Sequence, residues 1–250
     1  MRQPPFEIRD IHPWRLEHPG FLTLEGDDIC IWRLPAAADP RSVAPLWAVL
    51  APEERERARR LRRPEDHTTF VIARGALRML TAAYLDRPPL SIEFEYGPRG
   101  KPALAPCGIP LQFNLTHTGE LCLIAFSRRR ILGVDAERLD RPLRVESFAR
   151  RILGAQELEA FARVPEPMRR RALLEAWVRK EAYLKATGEG LAGGPGTVAV
   201  SLAPDEPARF LDGPPVAAGW DLWALDLGPG YVGALAASPG STRRPPTNFT

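Results

Sequence analysis

The stretch Trp177-Val178-Arg179-Lys180-Glu181-Ala182-Tyr183-Leu184-Lys185-Ala186-Thr187-Gly188-Glu189-Gly190-Leu191 sets a helical apolar rhythm against charges that the rhythm does not explain. Trp177, Leu184 and Leu191 recur at heptad spacing, while Glu181 and Lys185 stand four apart and so share one helix face. Gly188 and Gly190 supply residues at which a helix stops. Taken alone, the segment is an amphipathic helix with a surface ion pair worth roughly a few tenths of a kcal/mol. It predicts a helix from about Pro167 to Thr187, the longest in the chain.

Two shorter helical patterns precede it, over 145–153 and 156–163, and before those Ile131-Leu132-Gly133-Val134-Asp135-Ala136-Glu137 reads as a strand. Period two puts Asp135 and Glu137 on one side of that strand, with Cα atoms roughly 6.6 Å apart, and Leu132, Val134 and Ala136 on the other. Two acids there suit either a solvated face or a site for a hard cation. Strand patterns return over 197–202, 221–227 and 231–237.

The first half begins with a strand candidate at Ile29 to Leu34. A helix then opens at Pro52, with Glu53 and Glu54 in the turn that favours acids, and breaks near Pro64. A second helix follows, with Asp66 as its cap and Phe70, Ala73, Leu77, Leu80 and Tyr84 as its buried stripe. Arg74 and Arg78 flank that stripe and read as solvated residues whose stems cover apolar surface. Leu90, Ile92, Phe94 and Tyr96 alternate with polar residues as a half-buried strand. Next come Leu111, Phe113 and Leu115, the turn Thr116-His117-Thr118-Gly119-Glu120, and the apolar run from Leu121 to Phe126, which together read as a hairpin. Each half thus offers helices and a small antiparallel sheet, an α+β pattern in two similar units with a boundary at 130/131. Residues 238–250, SPGSTRRPPTNFT, have too little apolar content to pack and read as a disordered tail.

Composition excludes several classes. With 44% hydrophobic and 26% charged residues the 250-residue chain reads as an ordinary soluble protein, with no apolar run of membrane-spanning length and no signal-peptide core in MRQPPFEIRD, so a cytoplasmic location is expected. Cys30, Cys107 and Cys122 are in no metal-ligand spacing and read as buried thiols, and four scattered histidines speak against zinc. The net charge of +3 is matched by 53–63 alone, where six arginines meet three glutamates, which favours a local anionic ligand.

Asp135, Glu137 and Glu181 converge if the long helix packs on the strand that holds the first two. Oxygen ligands of that kind suit Mg²⁺, which bridges to substrate phosphates, and Lys185 would face the same phosphates. The arginine run, Arg74, Lys101 and His117 add cations from the other half. A metal and cations around a diphosphate describe phosphoryl transfer, and without a Walker loop or kinase motifs ATP is not the obvious donor.

Three motifs, in order and at matching spacing, resemble the Sfp-type 4′-phosphopantetheinyl transferases: Gly100-Lys101-Pro102 with Phe113-Asn114-Leu115-Thr116-His117-Thr118; Gly133-Val134-Asp135-Ala136-Glu137; and Trp177-x-x-Lys180-Glu181-Ala182-x-x-Lys185-x-x-Gly188-x-Gly190-Leu191. Together they span about half the chain. The resemblance implies a pseudo-twofold pair of α+β halves with coenzyme A as co-substrate in the cleft between them. It implies that Asp135, Glu137 and Glu181 hold Mg²⁺ and that Glu181 is the general base. Lys185 and His117 would contact the phosphates and serve catalysis, and Lys101 and Thr116 would line the nucleotide site. Arg57, Arg63 and Arg74 would contact the 3′-phosphate, although Arg57 and Arg63 also suit a solvated helix face. In such enzymes a serine of an apo acyl or peptidyl carrier protein attacks the β-phosphate and adenosine 3′,5′-bisphosphate leaves. Fatty-acid, polyketide, nonribosomal-peptide and lysine-pathway carriers all remain open as partners, and an internally duplicated fold suggests a monomer. The sequence departs from the family with threonine where Thr116 and Thr118 stand in place of serine, and with alanine at Ala136.

Two other readings compete. Residues 53–63 could be a nucleic-acid patch, but interleaved glutamates repel phosphates and no recognition motif accompanies them. A carrier-binding relative without activity is the other, and the intact acids and Lys185 argue against it.

Overall fold

Strands and helices are segregated along the chain into two α+β units, Met1–Arg128 and Arg129–Thr250. The structure is a computed structural model that describes residues 5–12, 22–36, 40–97, 100–188, 198–203, 206–211 and 219–240. Among these no helix is long and apolar enough to cross a membrane. Gly190, Leu191 and residues 241–250, to which the sequence assigns a helix stop and a tail, lie outside the described residues. Ser238 is held in place, its N–H donating to Ile131 O at 2.8 Å and its Oγ accepting from Ile131 N at 3.0 Å.

The first unit contains β1 (Phe6–Asp10), β2 (Ile29–Pro35), α1 (Pro40–Ala48), α2 (Pro52–Arg59), α3 (Pro64–Leu85), β3 (Phe94–Tyr96), β4 (Pro102–Leu104), β5 (Gln112–Thr118) and β6 (Leu121–Ser127). Its main sheet has the order β1-β2-β6-β5. The sheet is not wholly antiparallel, because β1 runs parallel to β2, and β1 is short enough to have left no periodic signal in the sequence. Instead of one long strand from Leu90 to Tyr96 there is a 3₁₀ turn, Pro89–Ser91, and then three-residue β3 paired with β4. The prolines at 88 and 89 set a turn where alternation alone reads as a strand.

Helix α3 is buried on every side from Val71 to Leu85, so the expected stripe is part of a fully enclosed helix. Gly75 lets α1 press against it: a Cβ there would come within 2.6 Å of Leu46 Cβ. The helix starts with Pro64 at its first position, Arg63 before it and Asp66 inside the first turn, so Asp66 favours the helix dipole and is not the cap. Arg74 and Arg78 are buried rather than solvated, because Glu54 on α2 faces them from the interior. Arg74 Nη2 lies 2.9 Å from Glu54 Oε1, and Arg78 Nε lies 2.5 Å from Glu54 Oε2.

The second unit contains β7 (Leu132–Arg138), α4 (Val145–Ile152), α5 (Ala155–Ala162), α6 (Glu166–Thr187), β8 (Asp221–Leu225) and β9 (Tyr231–Ala237). The antiparallel sheet has the order β7-β9-β8, and α6 packs across β7 and β9 over a core that includes Leu173, Leu174, Val178, Ala182 and Ala234. No regular strand occupies 198–202; Val200 makes a single antiparallel bridge to Phe210.

Candidate active site

Helix α6 can reach β7 because β7 has no side chain at Gly133. A Cβ there would stand 2.5 Å from Ala186 N and would collide with Ala182 O. Small residues on the helix complete the fit: Ala182 and Ala186 are both buried against the strand. This close approach, one helical turn long, brings the charges at 181 and 185 to the acids at 135 and 137.

Lys185 does not pair with Glu181, its neighbour on the helix face. Its Nζ donates to Asp135 Oδ1 at 2.6 Å and reaches Val134 O at 3.4 Å. Asp135 is 6% exposed, and Lys185 about a third. Glu137, one strand period on, is half-buried and bonded to Arg141, whose guanidinium also lies over the Phe148 ring.

Glu181 is the group left over. Its Oε1 is buried with no hydrogen-bond partner. Burial raises its carboxyl above the usual range, the Asp135 and Glu137 charges add to that, and Lys185 opposes it. A buried oxygen without a donor is costly unless a ligand satisfies it, and an unpartnered acid among acids attracts a cation or a proton. Among the described residues, no group of three or more His, Cys, Asp or Glu side chains is arranged to hold a metal ion as it stands. Glu137 is turned to Arg141 and Asp135 to Lys185, so two of the three carboxylates are already committed to cations. The donor set itself is hard oxygen with one oxygen unsatisfied, which fits Mg²⁺.

In the first unit the expected residues are distributed over several elements. Residues 116–118 are not in the hairpin turn: β5 runs on through Thr118, and the turn is Gly119 and Glu120, with Gly119 at φ 54°. Alternation therefore places Thr116, 6% exposed, and the exposed His117 on opposite faces of β5. Lys101 is half-buried, and burial lowers its ammonium below the usual lysine range. Arg57 is exposed on α2 with its guanidinium over the Phe70 ring, and Arg63 is exposed at the start of α3. Arg74 is enclosed between Glu54, the Tyr96 hydroxyl and the rings of Phe94 and Tyr96.

The sequence of this chain matches two family models. Residues 38–129 match the model described as 4′-phosphopantetheinyl transferase, N-terminal, and residues 131–236 match the 4′-phosphopantetheinyl transferase superfamily. HetI, a 4′-phosphopantetheinyl transferase from Nostoc sp., is 35% identical over 231 residues, covering 91% of this chain and 94% of its own length. The chain belongs to the 4′-phosphopantetheinyl transferase superfamily. Two shorter matches are to the transferase AcpT of Salmonella typhimurium, 35% identical over 38% of this chain and 50% of that one, and to the transferase psf-1 of Bacillus pumilus, 27% identical over 63% and 66%.

A fully buried ion pair adjoins Glu181 on α6 of this transferase. Lys180 is 0% exposed and bonded to Glu157 Oε2 at 2.6 Å and to Val198 O at 2.7 Å. Burial pushes its ammonium below the usual lysine range, and Glu157 opposes that. Next to it, Arg179 donates to Ser201 O at 2.6 Å. The signal for Glu157 was present: a glutamate three residues after Gly154, at the start of a helix, is the acidic half of a capping box, and its Oε2 does accept from Gly154 N at 2.8 Å.

Proposed function

We propose that this chain moves 4′-phosphopantetheine from coenzyme A to a serine hydroxyl of an apo carrier protein, releases adenosine 3′,5′-bisphosphate, and acts as a monomer. The observation that carries the catalytic reading is the unpartnered buried oxygen of Glu181 beside the Asp135–Lys185 pair. A carboxyl held above its usual range is a stronger proton acceptor, and a serine nucleophile needs one. Glu181 takes the serine proton as the serine oxygen bonds to the β-phosphorus and the phosphorus–oxygen bond to the departing bisphosphate breaks.

Asp135, Glu137 and Glu181 would hold Mg²⁺, whose charge would neutralise the diphosphate of coenzyme A. Lys185 adds a fixed positive charge, positioned by Asp135, that favours the leaving phosphate. From the first unit, His117 would contact phosphates, Lys101 and Thr116 would line the nucleotide site, and Arg57, Arg63 and Arg74 would serve the 3′-phosphate. Arg74 is the least free of these, since Glu54 already balances it.

Intact-mass spectrometry of apo fatty-acid, polyketide and nonribosomal-peptide carriers, incubated with the protein, coenzyme A and Mg²⁺, tests the assignment. At least one carrier gains the phosphopantetheine mass, and EDTA abolishes the gain. Unmodified carriers throughout, while a known transferase modifies the same samples, would refute it.

A further inference from the structure

Lys180 lies within the Trp177-x-x-Lys180-Glu181 motif, yet its ammonium is fully enclosed and is bonded to Glu157, which is not among the acids assigned to chemistry. Its partner, Glu157, is 1% exposed and does three things at once. It accepts from Gly154 N at the start of α5, from Lys180 on α6, and from Val200 N at 3.0 Å. Lys180 closes the loop by donating to Val198 O. Three separate stretches, α5, the middle of α6 and residues 198–200, are thus tied at one carboxylate.

Successive residues on a helix are about 100° apart around its axis. Fixing the direction of Lys180 therefore fixes the direction of Glu181. Gly133 controls the other coordinate: it sets how close α6 comes to β7, through Ala182 and Ala186. Stability alone does not call for an ion pair here, because well-packed apolar residues of similar volume are often as stabilising as a buried salt bridge. What a short charged bond adds is a single direction.

We propose that Lys180, anchored by Glu157, is a positioning residue that sets the rotation of α6 and thereby aims Glu181. The inference rests on the reading of Glu181 as the base. The test uses the full-length Lys180→Met/Glu157→Gln double variant, which keeps volume, leaves no uncompensated charge and retains an amide that can still cap Gly154. Its thermal midpoint and its coenzyme A affinity by calorimetric titration stay close to wild type, while kcat at saturating coenzyme A and carrier falls about tenfold or more, the scale expected of a misaimed catalytic group. The KM for coenzyme A stays within about threefold. Ser201→Ala, which removes the hydroxyl bonded to neighbouring Arg179, keeps kcat within about twofold and serves as the control for general disturbance of α6.

A double variant with wild-type kcat would overturn the inference. So would a Ser201→Ala variant that loses as much kcat as the double variant, or a double variant that does not fold, since each makes the pair a matter of folding alone. An inactive wild type would instead remove the transferase reading, so the two failures are distinguishable.

Discussion

Two ionic knots, one in each unit, are built to the same plan. In the first unit Glu54 on α2 accepts from Ala51 N at 2.9 Å and from Arg78 on α3, and Arg78 donates onward to Ile92 O at 2.8 Å. In the second, Glu157 on α5 accepts from Gly154 N and from Lys180 on α6, and Lys180 donates onward to Val198 O. Each is a short helix, then a long one, then the segment after it, joined at one buried glutamate. Arg78 and Lys180 even hold the same place in helices of equal length, Pro64–Leu85 and Glu166–Thr187. The knots differ in what stands beside them. Arg78 is followed by Met79, a core residue, and Lys180 by Glu181, whose Oε1 is unsatisfied. One architectural device therefore serves packing in one unit and, in the proposal made above, aims Glu181 in the other. They differ in charge as well: Glu54 balances two guanidiniums, Arg74 and Arg78, while Glu157 faces one ammonium.

The contrast breaks first at Glu181. Glu181→Gln lowers kcat by about 10²–10⁴, the usual weight of a general base, and leaves the thermal midpoint at or slightly above wild type because a like-charged neighbour of Asp135 and Glu137 is gone. Carrier mass-shift kinetics and calorimetry check both; wild-type turnover would place the chemistry elsewhere.

The next largest effect is on stability. Glu54→Gln leaves two buried guanidiniums without a counter-charge and destabilises by about 3–5 kcal/mol, read from urea unfolding. Glu157→Gln costs less, because a buried lysine can lose its proton and an arginine cannot. Equal losses would show that the choice between lysine and arginine is immaterial. Gly133→Ala follows, at about 1–3 kcal/mol for overpacking backbone against backbone, with kcat falling alongside.

The smallest effect reports on one unit only, since all three cysteines lie in the first. Burial pushes the thiols of Cys30 and Cys122 up to about 11 and about 12. A raised thiol pKa means less thiolate, so at pH 8 the reactive form of each is about a thousandth or less. Iodoacetamide at pH 8 modifies the half-buried Cys107 first, and tryptic mapping shows Cys30 and Cys122 gaining label as pH rises. Glu54→Gln speeds their labelling more than Glu157→Gln does.

The long helices and the hairpin were legible because apolar periodicity records which face is buried, and the strand 231–237 matched β9 to the residue. β1 and α1 were too short or too interrupted by proline to leave that record. That the acids at 135 and 137 come near Glu181 was legible because charges in an apolar rhythm need a reason. Arg74, Arg78 and Lys180 were misread or passed over for the converse reason. A buried cation looks the same in sequence as a solvated one until its partner is known, and those partners, Glu54 and Glu157, lie 20 to 24 residues away.

At Gly133 the distance between helix and strand is set by a hydrogen atom. Every natural substitution there is larger, so inherited change at this position can act in one direction only, widening the gap that holds Lys185 2.6 Å from Asp135. The spacing of the charged pair already sits at its lower bound, and drift at this codon can loosen the site but never tighten it.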